Sequence, residues 1–171
     1  MSIYHLIWNH HYKNVDINQP SSLAHLDKIL KDQSNKIKDD TLKKKCSDYE
    51  IDYLMDKNIN SNEFLEVIAQ YNCDLFVSMS FNQIFKKTII NMPRLKTINC
   101  HAGKLPFYRG RNILNWALIN DEKEFGVTIH YMDEGIDTGD IILQKTFSIT
   151  DMDNYSTLLD RAYKECASLL F

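Results

Sequence analysis

Four apolar runs limit what this chain can fold into: CDLFVSM (73–79), LKTINCH (95–101), FGVTIHYMD (125–133) and IILQKTFSI (141–149). All four read as strands, and the first is compact and apolar enough to be buried. Between and around them lie segments with helical spacing. SNEFLEVIAQY (61–71) has Ser61 and Glu66 near its start, and NQIFKKTIIN (82–91) is closed by Pro93. RNILNWALIN (111–120) offers Ile113, Leu114, Trp116, Ala117 and Leu118 as an apolar surface, and NYSTLLDRAYKECASLLF (154–171) runs to the last residue. The first sixty residues are less patterned. SIYHLIW (2–8) and EIDYLM (50–55) read as strands. A helix over 21–32 carries Leu23, Leu26, Ile29 and Leu30, with Ser21 or Ser22 as its cap, and the rest through Lys45 is polar.

Helices alternating with strands predict an α/β fold: a Rossmann-like three-layer arrangement, with a mostly parallel central sheet and helices on both faces. The chain has 171 residues, enough for one domain over 1–171, since a domain of roughly 150 residues buries about 70% of its unfolded surface. No repeat, low-complexity tract or linker divides it. The net charge of -3 disfavours nucleic acid as a partner. The four cysteines, Cys46, Cys73, Cys100 and Cys166, form no C-x-x-C pair. They read as reduced thiols in a reducing compartment, with Cys100 open to a reactive role through its position. No apolar run approaches the roughly 18 residues of a membrane span. With no signal-peptide pattern either, a soluble cytoplasmic protein is expected.

In an extended chain, residues i and i+2 point the same way. Asn99 and His101 therefore present an amide and an imidazole to one spot at the carboxyl end of a strand, where α/β sheets bind ligands. An amide can donate to a developing oxyanion, and an imidazole moves protons near neutral pH. The same pair also reads as a turn asparagine beside a surface histidine. Asp137 lies in DEGIDTGD, with Gly135 and Gly139 permitting a tight reversal. Its carboxylate could orient the imidazole and raise its pKa, or Asp137 could simply cap its own turn.

INCHAGKLPFYRGRN, followed by GVTIHYMDEGIDTGDIILQ, resembles the folate-dependent formyltransferase family. The resemblance rests on Asn99, His101, Leu105, Pro106, Gly110, Asp137 and Gly139, and on the 36-residue step from His101 to Asp137. It covers about Asn72 to Thr150. It implies transfer of a formyl group from 10-formyltetrahydrofolate to an amine. Asn99 and a protonated His101 would donate to the formyl oxygen, while Asp137 would hold His101 and a proton-relaying water. No metal is implied. The adjacent His10 and His11 suit no helical or hairpin ligand geometry. By the same resemblance, the pterin meets backbone around Gln83, Ile84 and Phe85 and around Asp133 and Glu134. Met79, Phe81, Met132 and Ile136 would wall the slot, although Met132 also reads as core. His130 matches a family position near the site and reads equally as a core histidine.

Lys104, Arg109 and Arg111 surround the reacting centre and suit a phosphate-bearing acceptor. A helix beginning near Arg111 adds its positive end. Tyr108 and Trp116 could stack on a sugar or base. HAGKLPFYRGRNILNWALIN looks most like the members that formylate a nucleotide-linked deoxy-aminosugar. The alternatives are glycinamide ribonucleotide or methionyl-tRNA as acceptor, or an inactive folate- or nucleotide-sugar-binding remnant. Residues 1–60 diverge from the family's usual opening. The apolar end, ASLLF, suggests a shortened chain or pairing of two copies as a homodimer.

Overall fold

The computed structural model describes residues 5–7, 39–81 and 83–170. The expected helix over 21–32 and His10–His11 lie outside them. Five strands form one sheet in the order β1 (His5–Ile7), β2 (Phe76–Met79), β3 (Thr97–His101), β4 (Glu124–Tyr131) and β5 (Ile141–Ser148). The helices are α1 (Asp39–Asp48), α2 (Asn62–Ala69), α3 (Lys87–Ile90), α4 (Ile113–Ile119) and α5 (Tyr155–Leu170).

Local chemistry explains most of these elements. Ser61 caps α2 by accepting a hydrogen bond from the Phe64 N–H at 3.2 Å, and Phe64 and Ile68 fall on its buried face. Helices cover both faces of the sheet. On one face, α4 and α5 pack Leu114, Leu158, Ala162 and Cys166 against Cys100, Val127 and Ile129. On the other, Phe64 and Ile68 of α2 and Ile89 and Ile90 of α3 cluster with Phe76. A fully buried Ile or Leu side chain contributes about 1.5–3 kcal/mol, so these two clusters clamp the sheet from both sides.

The sheet is mixed, not mostly parallel. Only β2 and β3 run parallel; β1–β2, β3–β4 and β4–β5 are antiparallel. The alternation of element types carried no information on direction. With seven residues, α4 advances only about 10 Å. The chain therefore re-enters the sheet at the end it left, and β4 must run back along β3. The carboxyl end of β4 consequently lies beside the start of β3, where Met132 N–H donates to Thr97 O at 2.9 Å. The 134–140 loop does not sit at the carboxyl ends of β2 and β3, as a parallel sheet would have it.

Two other expectations fail. EIDYLM forms no strand: its Leu54 packs into the α2–α3 cluster instead, and the sheet edge it would need is taken by β1. Helix α1 arises within a stretch that shows no apolar stripe. Cys73, Cys100 and Cys166 are buried, Cys46 is partly so, and all four are free thiols. Among the described residues, no helix is long and apolar enough to cross a membrane.

Candidate active site

Antiparallel pairing of β3 with β4 sets Asn99 opposite His130 and His101 opposite Thr128. Side chains alternate along a strand, so these four share one face, while Cys100 and Ile129 point into the α4–α5 core. The loop between β4 and β5 then folds back over this face and delivers Asp137. One oxygen of its carboxylate, Oδ2, lies 3.6 Å from His101 Nδ1 and accepts the Gly110 N–H at 2.8 Å. The other, Oδ1, lies 3.5 Å from His130 Nε2 and accepts from Asn99 Nδ2 at 3.3 Å. Residues far apart in the chain thus meet at one carboxylate.

The loop is shaped for this delivery. Asp137 itself takes a left-handed φ of 51°, a conformation aspartate tolerates better than most residues. Gly139 is required by close approach: a Cβ there would sit 1.9 Å from Tyr131 O. Asp133 Oδ1 closes the turn by accepting from Gly135 N–H at 3.0 Å and from the Thr138 hydroxyl at 2.6 Å.

The imidazole of His101 is held from the other side. Its Nε2 lies 2.7 Å from Tyr108 O. A carbonyl only accepts, so Nε2 carries the proton and Nδ1 is left facing Asp137. Tyr108 reaches this position with a φ of 52°, which costs an aromatic residue about 1–3 kcal/mol. Its hydroxyl is anchored by Glu122 and by Asn120 Nδ2. The 103–105 backbone is braced from below. The buried Thr128 hydroxyl donates to Gly103 O at 2.7 Å, and Gln144 Nε2 donates to Thr128 Oγ1 and Leu105 O, each at 2.8 Å. Sequence reasoning passed over Gly103, Thr128, Gln144 and the carbonyl of Tyr108.

Burial disfavours the charged imidazole most, and the nearby His130 adds to this. Asp137 and the Tyr108 carbonyl oppose it without prevailing, so the His101 pKa is lowered. Asp137 does pull it upward, as the sequence leads one to expect, but burial outweighs that pull and the net shift is downward. For Asp137, burial alone would push the carboxyl up. His130, His101 and the Gly110 N–H together outweigh that and bring it below its usual range. Both shifts make the fold acid-sensitive. In each case the unfolded chain binds more protons across the window between the folded and unfolded values, so stability rises with pH there. The His101 contribution is complete above about 6.5 and is lost as pH falls from there towards its lowered folded value. Thermal unfolding followed from pH 7.5 to 5 should show a falling Tm, with a shallower slope in His101→Gln. Equal slopes would mean that His101 is not the group involved.

The expected pterin residues separate. Phe85 is buried and packs edge-on against Phe81 with ring centroids 5.0 Å apart, and Met132 packs against the same cluster. Met79 packs towards the α4–α5 side, the face opposite Asn99 and His101. The Gln83 amide bridges a loop, accepting from Ile59 N–H at 3.1 Å and donating to Asp56 O at 3.2 Å. Ile84 and Ile136 are 70% and 61% exposed, available to a ligand, and Asp133 and Glu134 are exposed beside Ile136. The basic residues also divide. Lys104 is paired with Glu124, while Arg109 and Arg111 are exposed. Trp116 is 54% exposed, so it is not part of the helix's buried surface.

The family described as "Formyl transferase" matches residues 17–171. Methionyl-tRNA formyltransferase of Syntrophus aciditrophicus (strain SB) is 43% identical over 125 residues, which are 73% of this chain and 40% of that protein. The chain spans about two fifths of the length of the first curated relatives it matches. Among solved structures, phosphoribosylglycinamide formyltransferase from Bacillus Halodurans superimposes with a TM-score of 0.60 at 30% identity, over 74% of this chain and 73% of that one. A sugar N-formyltransferase from Shewanella sp FDAARGOS_354 gives 0.58 at 33% identity, over 66% of this chain and 44% of that one. A match over most of the sequence, on an α/β framework shared with these enzymes, makes the chain a member of the formyl transferase family.

Proposed function

We propose that the chain transfers a formyl group from 10-formyltetrahydrofolate to the primary amine of a phosphate-bearing acceptor, specifically a nucleotide-linked aminosugar. The observation that carries this is the meeting of Asn99, His101 and Asp137 on one face, with Asp137 3.6 Å from the imidazole.

As the amine attacks the formyl carbon, negative charge gathers on the formyl oxygen and the amine must lose a proton. Asn99 Nδ2 donates to that oxygen. His101 enters the reaction neutral, because burial lowers its pKa. Its Nε2–H is committed to Tyr108 O, so Nδ1 is the nitrogen that can accept the released proton. Asp137 then faces an imidazolium, and its attraction grows as that charge forms. With the proton on Nδ1, His101 can donate to the oxyanion and return the proton to the departing folate nitrogen. Formyl carbon–nitrogen bonds made and broken thus balance with one proton moved. A protonated His101 arises during the reaction and is not the resting state.

Exposed Ile84 and Ile136, on the loops after β2 and β4, suit an apolar pteridine edge. Arg109 is exposed in the same loop as Tyr108 and Gly110 and suits acceptor phosphate. Arg109→Ala should raise KM for the acceptor about tenfold while changing kcat less than about threefold. A large fall in kcat at saturating acceptor would give Arg109 another role.

A second acceptor, methionyl-tRNA, is favoured by the 43% identity to a methionyl-tRNA formyltransferase. The two readings part in one assay. Incubation with 10-formyltetrahydrofolate and either a panel of nucleotide aminosugars or charged initiator tRNA should give a one-formyl mass gain on an aminosugar. A gain on methionyl-tRNA alone would replace the sugar reading. No gain on any amine would defeat formyl transfer by this chain.

A further inference from the structure

His130 is 2% exposed and lies on β4 directly opposite Asn99. Its Nδ1 is 2.8 Å from Tyr131 O, a carbonyl, so Nδ1 carries the proton of the neutral ring and Nε2 is left as an acceptor. Little water can reach so buried a nitrogen, and an unsatisfied one is costly. The donor supplied is Asn99 Nδ2, at 3.2 Å. The same Nδ2 lies 3.3 Å from Asp137 Oδ1, and that oxygen lies 3.5 Å from His130 Nε2.

These three separations make a nearly equilateral triangle. The two acceptors are seen from Nδ2 at an angle far narrower than that between the two protons of an amide. One N–H is therefore shared by His130 and Asp137, and the second is left for an acceptor outside the triangle. Rotating the amide by half a turn would bring its oxygen against the Nε2 lone pair and the Asp137 carboxylate together, two repulsions in a buried place. The titratable groups facing His130 are Asp137, from the loop, and His101, whose ring stands edge-on with centroids 6.4 Å apart.

We infer that His130 is a positioning residue: its Nε2 fixes which end of the Asn99 amide faces the carboxylate and so keeps one Asn99 N–H free for the reacting formyl oxygen. This deepens the formyl-transfer reading and rests on it. A histidine that merely filled the core could be exchanged for an aliphatic residue without a specific effect on turnover.

Two variants and one spectrum test the inference. His130→Leu should lower kcat roughly tenfold or more, with KM for the folate changed by less than about twofold, because the amide loses its guide while the folate site stays intact. His130→Gln offers a carbonyl in place of Nε2 and should recover most of that loss. Unchanged kcat in His130→Leu, or an equal loss in His130→Gln, would overturn the inference. Proton–nitrogen correlation spectra of labelled protein need no activity. They should show His130 protonated at Nδ1 and bare at Nε2, with the Nε2 resonance moving in Asn99→Ala. The opposite tautomer, or an unmoved Nε2 resonance, would overturn the coupling even in a preparation that transfers no formyl group. Sound spectra alongside absent transfer would instead count against the formyl-transfer reading alone.

Discussion

His101→Ala is expected to slow formyl transfer by roughly 100- to 1,000-fold, the cost of losing a group that stabilises charge only in the transition state. The imidazole is held between the Tyr108 carbonyl at 2.7 Å and the Asp137 carboxylate at 3.6 Å, whereas the nearby His130 Nε2 is taken up by the Asn99 amide at 3.2 Å. Under the proposed formyl transfer, in which the ring meets the reacting atoms, the loss should appear in kcat, with folate affinity nearly unchanged. Burial also keeps it uncharged at rest, so removing it leaves no buried cation uncompensated and the fold should persist. Asn99→Ala and Asp137→Ala should be impaired similarly. Steady-state kinetics beside thermal unfolding separate the two effects. Survival of activity within a few-fold in His101→Ala would remove the imidazole from the mechanism.

Gly103→Ala should do almost as much without touching a reacting group. A Cβ at Gly103 would lie 2.4 Å from His101 Nε2 and 2.5 Å from Tyr108 O, inserted into the hydrogen bond that sets the ring. Neither partner can give way cheaply. The carbonyl is backbone, and Thr128 and Gln144 brace the 103–105 segment beneath it. The ring must move, and displacement of a catalytic group by about 1 Å can cost about 100-fold. Overpacking should also cost about 1–3 kcal/mol of stability. Denaturant unfolding and kcat measured on the same preparation check both. A Gly103→Ala enzyme with wild-type kcat would mean that the Tyr108 contact does not position His101.

Much of this site was legible from particular residues. Asn99 and His101 sit two apart in an apolar strand, so their common direction follows from alternation alone. Asp137 was a candidate from its glycine-flanked turn, but its pairing with His101 over a turn cap was favoured only through the family resemblance, because nothing local says that a loop will fold back over a sheet. Strand direction was not legible: a segment's periodicity reports helix or strand, whereas the short reach of α4 decides that β4 returns antiparallel. That reversal is also what brings His130 opposite Asn99, and a parallel sheet offered no reason to pair them. Tyr108 looked like a stacking platform, yet its ring anchors a loop and its contribution is a carbonyl that every residue possesses. Gly103 left no trace because a missing Cβ matters only where two groups close around it. Trp116 stood within an apolar helical surface in sequence and lies half exposed in the fold.

Single-turnover transfer by wild-type protein and Asp137→Asn, measured side by side with 10-formyltetrahydrofolate and the accepted amine, probes the meeting point of these residues most directly. Asparagine keeps the size of the side chain and removes the charge that an imidazolium at His101 would need. The convergence at Asp137 predicts a variant that binds a folate analogue within about twofold of wild type and transfers the formyl group at least about 100-fold more slowly. Transfer at the wild-type rate by Asp137→Asn would contradict it.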